Sequence, residues 1–295
     1  MKLVTFTDQI STRIGVVQDD LVLDLSRLAP SLPTDMVTFL AAGRPALDAA
    51  SQAAASATGT GIALGDVRLE TPVPRPRKFL AIALNYRLLA PFKDMTDEEF
   101  ETICKNQRAT KAQGRQSWYN KQVSCINAPF GDIVLPPAPN EVYFEAELAF
   151  VIGRTCRDIT EAEAADYIAG FMVSNDVTEG AWCRDAATLT MGKSLDSFGP
   201  MGPWLVTPDE LGDPHRLAIN GYVNGELQQI GNTGDMLFNC YELIAFASRR
   251  FTLEPGDIVT TGMPYCPLEK LSPGDLVRCE IEAIGAIENR VVGKA

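Results

Sequence analysis

Histidine is all but missing from this chain of 295 residues: His215 is the only one. One imidazole cannot supply the two or three ligands of the usual catalytic zinc sites. A Ser-His-Asp arrangement would have to use His215 itself, and no Gly-x-Ser-x-Gly serine accompanies it. His215 lies in Asp213-Pro214-His215-Arg216, a turn-like stretch that predicts a surface position. Paired cysteines are missing too. The seven present (Cys104, Cys125, Cys156, Cys183, Cys240, Cys266 and Cys279) are irregularly spaced with no Cys-x-x-Cys pair. That pattern fits reduced thiols, most of them small buried hydrophobes, better than a disulfide framework. A basic surplus is lacking as well: 26 Lys and Arg stand against 38 Asp and Glu, a formal charge of −12. Nucleic acid and anionic membrane are therefore not expected partners. An anionic substrate is still allowed, because a bound cation can reverse the local field. No apolar run is long enough to span a bilayer, and Met1 to Phe6 reads as a first strand rather than a secretory leader, so a cytoplasmic location is expected. Chemistry in such a chain should rest on carboxylates, lysine, arginine and metal.

What is present suggests two parts. Residues 1–72 read as a small β-rich unit with one helix: short strands over Met1 to Phe6, Thr12 to Val17 and Leu21 to Leu25, a turn at Asp19-Asp20, and an Ala-rich helical stretch from Met36 to Ala57. Pro72, Pro74 and Pro76 then mark an extended linker, since prolines at that spacing oppose both helix and ladder pairing. Residues 77–295 are strand-rich. Strands are predicted over Phe79 to Leu84, Glu145 to Ile152, Ile168 to Ser174, Trp204 to Thr207, Leu217 to Val223, Asp257 to Thr261 and Leu276 to Ile281. Helices are predicted over Glu161 to Tyr167 and Leu237 to Phe251, and the polar stretch 93–117 reads as an inserted helix or lid. Many strands without βαβ alternation imply an α+β, predominantly β fold.

Within Tyr143-Phe144-Glu145-Ala146-Glu147-Leu148, residues two apart share a strand face, so Glu145 and Glu147 point the same way. That spacing also suits an edge strand with its glutamates in water. The strand runs on into the apolar Leu148 to Ile152, however, which is typical of burial on both faces. Two carboxylates side by side at the entrance to a core repel and call for a cation or a proton. Asp176 ends a second apolar run, Phe171 to Ser174, and Lys193 lies in Met191-Gly192-Lys193-Ser194. Taken singly, Asp176 also reads as a helix N-cap and Lys193 as a surface charge.

Read together, these segments resemble the fumarylacetoacetate hydrolase superfamily. The likeness runs from Phe79 to Asn289 through Asn85-Tyr86-Arg87, Trp118-Tyr119-Asn120-Lys121-Gln122, Phe144-Glu145-Ala146-Glu147-Leu148, Ser174-Asn175-Asp176-Val177, Gly192-Lys193-Ser194, Leu253-Glu254-Pro255-Gly256-Asp257 and Thr261-Gly262. The resemblance implies a mixed β-roll behind a small N-terminal domain, usually as a homodimer. It also implies Mg2+ or Mn2+ on Glu145, Glu147 and Asp176, and an all-oxygen donor set suits those hard ions. Lys193 is implied as an active-site lysine, and Tyr86, Arg87, Lys121, Gly262 and Met263 as contacts of a small anionic oxo-acid substrate.

The chain also departs from the family pattern. The family's catalytic histidine position holds Leu89, which cannot accept a proton. The family's arginine and glutamine after Asn-Asp-Val are absent; Arg184 lies four residues beyond, about one helical turn, and is a candidate replacement. Glu98, Glu99, Glu101 and Lys105 could supply acids or bases, although their pattern reads first as a solvated helix face. The family's glycine-rich loop after Thr261-Gly262-Met263-Pro264 is shortened. The first expectation is hydrolytic C–C cleavage of an acylpyruvate-like 2-oxo acid through a metal-stabilised enolate. A decarboxylase, dehydratase or tautomerase needs the same enolate without activated water, and a metal-binding homologue without turnover is the remaining alternative.

Overall fold

The computed structural model describes residues 1–293 apart from 58, 93–94 and 265–268. Cys266 and the shortened loop after Pro264 therefore lie outside the described residues. Strands dominate, as the pattern predicted, and they form two main sheets.

The centre of the larger sheet is the antiparallel pair Ala146–Ile152 and Ile168–Asn175. Every residue of both strands is buried, which is why they read as continuous apolar runs rather than alternations. On one flank Ile258–Thr260 pairs with Ala146–Ile152 and runs parallel to Phe79–Ala83, which in turn carries Ser117–Asn120. On the other flank Gly199–Val206 leads to the N-terminal strands. Lys2 and Leu3 pair with Val206 and Leu205, and the Thr5 hydroxyl bonds the Pro72 carbonyl, so residues 1–72 extend the sheet instead of ending at the linker. The smaller sheet orders Glu226–Asn232, Ala218–Val223, Leu276–Ile281, Gly285–Gly293 and Ile133–Leu135.

Two predicted elements come out differently, and one strand was not predicted. The Ala-rich stretch is two helices, Met36–Ala41 and Arg44–Ser56, because Gly43 turns through φ +71° and Pro45 starts the second. The second helix buries Ala46, Ala50 and Ala54, one small residue per turn. The helix expected over 161–167 shrinks to a 3-10 turn, Ala164–Tyr167: the next residue already begins a central strand, and the Tyr167 carbonyl is taken by Gly153 N–H at 2.7 Å. The strand Gly285–Gly293 had no clear signal because its core-facing set is Ile287, Asn289 and Val291. The buried Asn289 breaks the apolar alternation and earns its place by donating to the Gly131 carbonyl at 2.8 Å. The polar insertion is a helix, Asp97–Ala112, started by a Thr96–Glu99 capping box.

Candidate metal centre

The register of the central pair sets Ala146 opposite Asn175. The residue before one strand and the residue after the other therefore meet, and Asp176 N–H donates to the Glu145 carbonyl at 2.9 Å. Glu147 is one step into its strand. Carboxylate oxygens of Glu145, Glu147 and Asp176 all lie within 4.8 Å of one another, with Glu147 and Asp176 buried and Glu145 half-buried. The structure thus brings together the three residues singled out as ligands.

Two lysines face them. Lys193, closing the short helix Thr190–Lys193, donates to Glu145 Oε2 and Asp176 Oδ2, both at 2.8 Å. Lys121, just past the Ser117–Asn120 strand, donates to Asp176 Oδ1 and to the Phe198 carbonyl at 2.8 Å. The Tyr119 hydroxyl, on the same strand, donates to Asp176 Oδ2, and Thr178 Oγ1 donates to Glu145 Oε1 at 2.7 Å. Glu147 has no lysine. Its one side-chain bond among the described residues is from Gly262 N–H at 2.9 Å. Gly262 is fixed as glycine by φ +83° and by the Ile82 carbonyl, which would stand 3.1 Å from a Cβ there.

Three carboxylates against two ammonium groups leave one negative charge, and the titration behaviour follows that imbalance. Burial pushes the Asp176 carboxyl up, but Lys121 and Lys193 outweigh it and hold the group at about 2. Burial pushes Glu147 well above the usual carboxylate range, with Asp176 and Glu145 pushing the same way. Burial depresses Lys193, but Asp176, Glu145 and Glu147 reverse this and raise it overall, so it stays an ammonium ion. A buried carboxylate trio that is one positive charge short, built only from oxygen donors, fits a hard divalent cation. These residues can hold Mg2+ or Mn2+.

The rim is tied down by Asn85. Its amide donates to the Phe238 and Thr261 carbonyls at 3.0 and 2.9 Å and accepts from Phe238 N–H at 2.9 Å. Gln107, from the inserted helix, clasps the next residues: it donates to the Tyr86 carbonyl at 2.9 Å and accepts from Leu88 N–H at 3.0 Å. Between those two bonds lies Arg87, whose side chain is exposed and has no partner among the described residues. Tyr86 is buried, and Met263 is half-buried next to Gly262.

Other candidates stand apart. Arg184 is exposed on the helix Gly180–Asp185 and pairs with Glu141, although its Nη1 lies 3.4 Å from where a Cβ on Gly180 would sit. Leu89 is 66% exposed and offers no proton acceptor. Glu98, Glu99, Glu101 and Lys105 form a solvated helix face, with Glu99 spent on the cap. His215 is half-buried rather than on the open surface: its Nε2 accepts Cys240 N–H at 3.3 Å, and its ring meets Tyr241 edge-on. Asn85, Gln107, Tyr119 and Thr178 were not singled out from the sequence. For Tyr119 a signal existed, because it lies two residues from Lys121 at the end of a strand.

The family model for the C-terminal part of fumarylacetoacetate hydrolase matches residues 78–292. Oxaloacetate tautomerase Fahd2a of Rattus norvegicus, a mitochondrial protein by name, is 39% identical over 92% of this chain and 84% of its own length. The mitochondrial oxaloacetate tautomerase fahd2 of Xenopus laevis is 38% identical over 99% of this chain and 90% of its own. Among solved structures, maleylpyruvate hydrolase from Sphingobium sp. SYK-6, in complex with manganese(II) and pyruvate, superposes with a TM-score of 0.81 at 30% identity, covering the whole of both chains.

Proposed function

This chain belongs to the fumarylacetoacetate hydrolase family, and from that premise we propose that it is a metal-dependent tautomerase that interconverts the keto and enol forms of a small 2-oxo acid such as oxaloacetate. The observation carrying this reading is the contrast between a complete cluster and a missing base. Glu145, Glu147, Asp176 and Lys193 are assembled, while the position expected to activate water is an exposed leucine, Leu89. Enolisation needs charge stabilisation next to a carbonyl; hydrolysis also needs a water made nucleophilic. Two curated relatives named oxaloacetate tautomerase, matched over nearly the whole chain, support the same choice.

A divalent ion on Glu145, Glu147 and Asp176 would supply electron withdrawal from the oxo group. Lys193 aligns Glu145 and Asp176 and helps keep Asp176 ionised, and Lys121 secures the other oxygen of Asp176. Gly262 N–H orients Glu147. Arg87, exposed and unpaired among the described residues, is the cation for a substrate carboxylate, and Gln107 fixes the backbone that presents it. C–C hydrolysis is the second reading. It is favoured by the full-length likeness to maleylpyruvate hydrolase.

Manganese-loaded protein given oxaloacetate should accelerate the decay of enol absorbance, and EDTA should abolish the effect. Acylpyruvates split into two acids faster than enol decays would replace this reading with hydrolysis. Release of carbon dioxide as the main product would replace it with decarboxylation, and tight oxalate binding without turnover would make the protein a binder.

A further inference from the structure

We infer that Tyr119 is a catalytic residue: its hydroxyl donates a hydrogen bond to the substrate oxygen on which charge gathers during enolisation. The inference rests on the oxo-acid reading above. The hydroxyl donates to Asp176 Oδ2, the same oxygen that receives Lys193 Nζ. Asp176 is one of the three residues that would hold the ion, so this hydroxyl borders the place where a substrate oxygen would be bound.

The other groups at the cluster are already committed. Lys193 spans Glu145 and Asp176, and Lys121 spans Asp176 and the Phe198 carbonyl. The ionised carboxylates only accept. Among the described residues two hydroxyls bond these carboxylates directly. That of Thr178 is flanked by two acceptors, Glu145 Oε1 at 2.7 Å and the Asp176 carbonyl at 2.9 Å. That of Tyr119 has Asp176 Oδ2 alone among the described residues. Asp176 Oδ2 thus carries two donors, one charged and one neutral. Both bonds are charge-assisted, since the acceptor is ionised, but Lys193 is also held by Glu145 whereas the phenol bonds this one oxygen. With a cation held on the trio, the phenol, anchored at a single oxygen, would be the donor free to turn toward substrate. A phenol is also the better donor of the two hydroxyls, and Leu89 leaves no imidazole to do the work.

Tyr119→Phe tests this, since it keeps the ring and removes one oxygen. With saturating Mn2+ and oxaloacetate, kcat should fall by about 100-fold, the usual loss on removing one such donor. The Mn2+ dissociation constant, read by calorimetry, should stay within about threefold, while oxalate, which mimics the enolate oxygens, should bind at least about tenfold more weakly. If Mn2+ affinity and rate fall together and excess Mn2+ restores kcat, Tyr119 only positions Asp176 and the inference is overturned. Unchanged kcat and oxalate affinity would overturn it as well. A wild-type protein with no enolisation of any oxo-acid would instead sink the functional reading, and this inference with it.

Discussion

Two buried charge clusters in this molecule have opposite designs. In the N-terminal part, Arg13 lies over the Phe6 ring and donates to both Asp8 oxygens at 2.9 and 2.7 Å and to Asp24 at 2.8 Å, while Arg27 reaches Asp24 at 3.3 Å. Two cations meet two carboxylates, and Ser11 and Ser26 take up further bonds. The cluster is neutral and closed. At the metal centre the count is one cation short, and the shortfall falls on Glu147, the carboxylate with a single amide partner. A charge knot that only stabilises satisfies itself; one built for a ligand leaves a vacancy of definite sign.

Glu147→Gln should give the largest separation between the two clusters. Calorimetry is expected to show Mn2+ affinity reduced roughly 100-fold or more, the upper end of what even outer partners of a metal site contribute. The same variant should reverse the order of stability. Glu147 is raised from its ordinary value of 4.5, so the folded protein keeps a proton that the unfolded chain has released, and ion-free stability falls as pH rises above that value. In EDTA the wild-type urea midpoint should therefore decline between about pH 5 and pH 8, and Glu147→Gln should flatten the decline. With Mn2+ present the wild type should be the more stable. An equal decline in both proteins would show that Glu147 is not the strained group.

Asp24→Asn is expected to behave in the opposite way. Burial raises this carboxyl, but Ser26 and Arg13 outweigh it and hold it below its ordinary 3.8. It therefore adds stability above that value, and the gain is lost as pH falls through the depressed one. The variant should cost about 2 kcal/mol at neutral pH, less than a wholly dry pair because Asp8 still faces Arg13. The loss should be the same with or without Mn2+, with kcat unchanged; an ion-dependent loss would erase the contrast.

Smaller effects are expected at the rim. Gln107→Ala frees the backbone on both sides of Arg87, and KM for oxaloacetate should rise by roughly three- to tenfold with kcat nearly constant, about what one or two hydrogen bonds are worth. A selective loss of kcat would instead place the clasp in the chemistry. Arg184→Ala should change KM by less than about twofold, since an exposed pair with Glu141 contributes little. A larger rise would bring Arg184 into the substrate site despite that pair.

Strand position marked Glu145 and Glu147 as a pair at the mouth of a buried run, but only the family resemblance joined Asp176 to them as a ligand set. Glu145-x-Glu147 follows the two-residue period, and Asp176 follows eight buried residues. The fold class was legible from the same runs. Lys121 and Gly262 were named only through the resemblance and as substrate contacts; their bonds to the carboxylates were not legible, since Lys121 lies 55 residues from Asp176 and Gly262 lies 115 from Glu147. Nothing local about Gln107, a polar residue on a polar helix, announces that its amide imitates a neighbouring strand. The helix expected over 161–167 is cut short because residue 168 already belongs to the central strand.

The Asn85 carboxamide joins positions 153 and 176 residues further along the polypeptide. No fragment emerging from the ribosome can prefigure the cradle, because until Gly262 has been made Glu147 lacks its amide and Asn85 lacks its Thr261 acceptor. Such distant closures are entropically late events. The rim made by Asn85 and the Gly262 amide is accordingly expected to close after the strand pair that carries the three carboxylates.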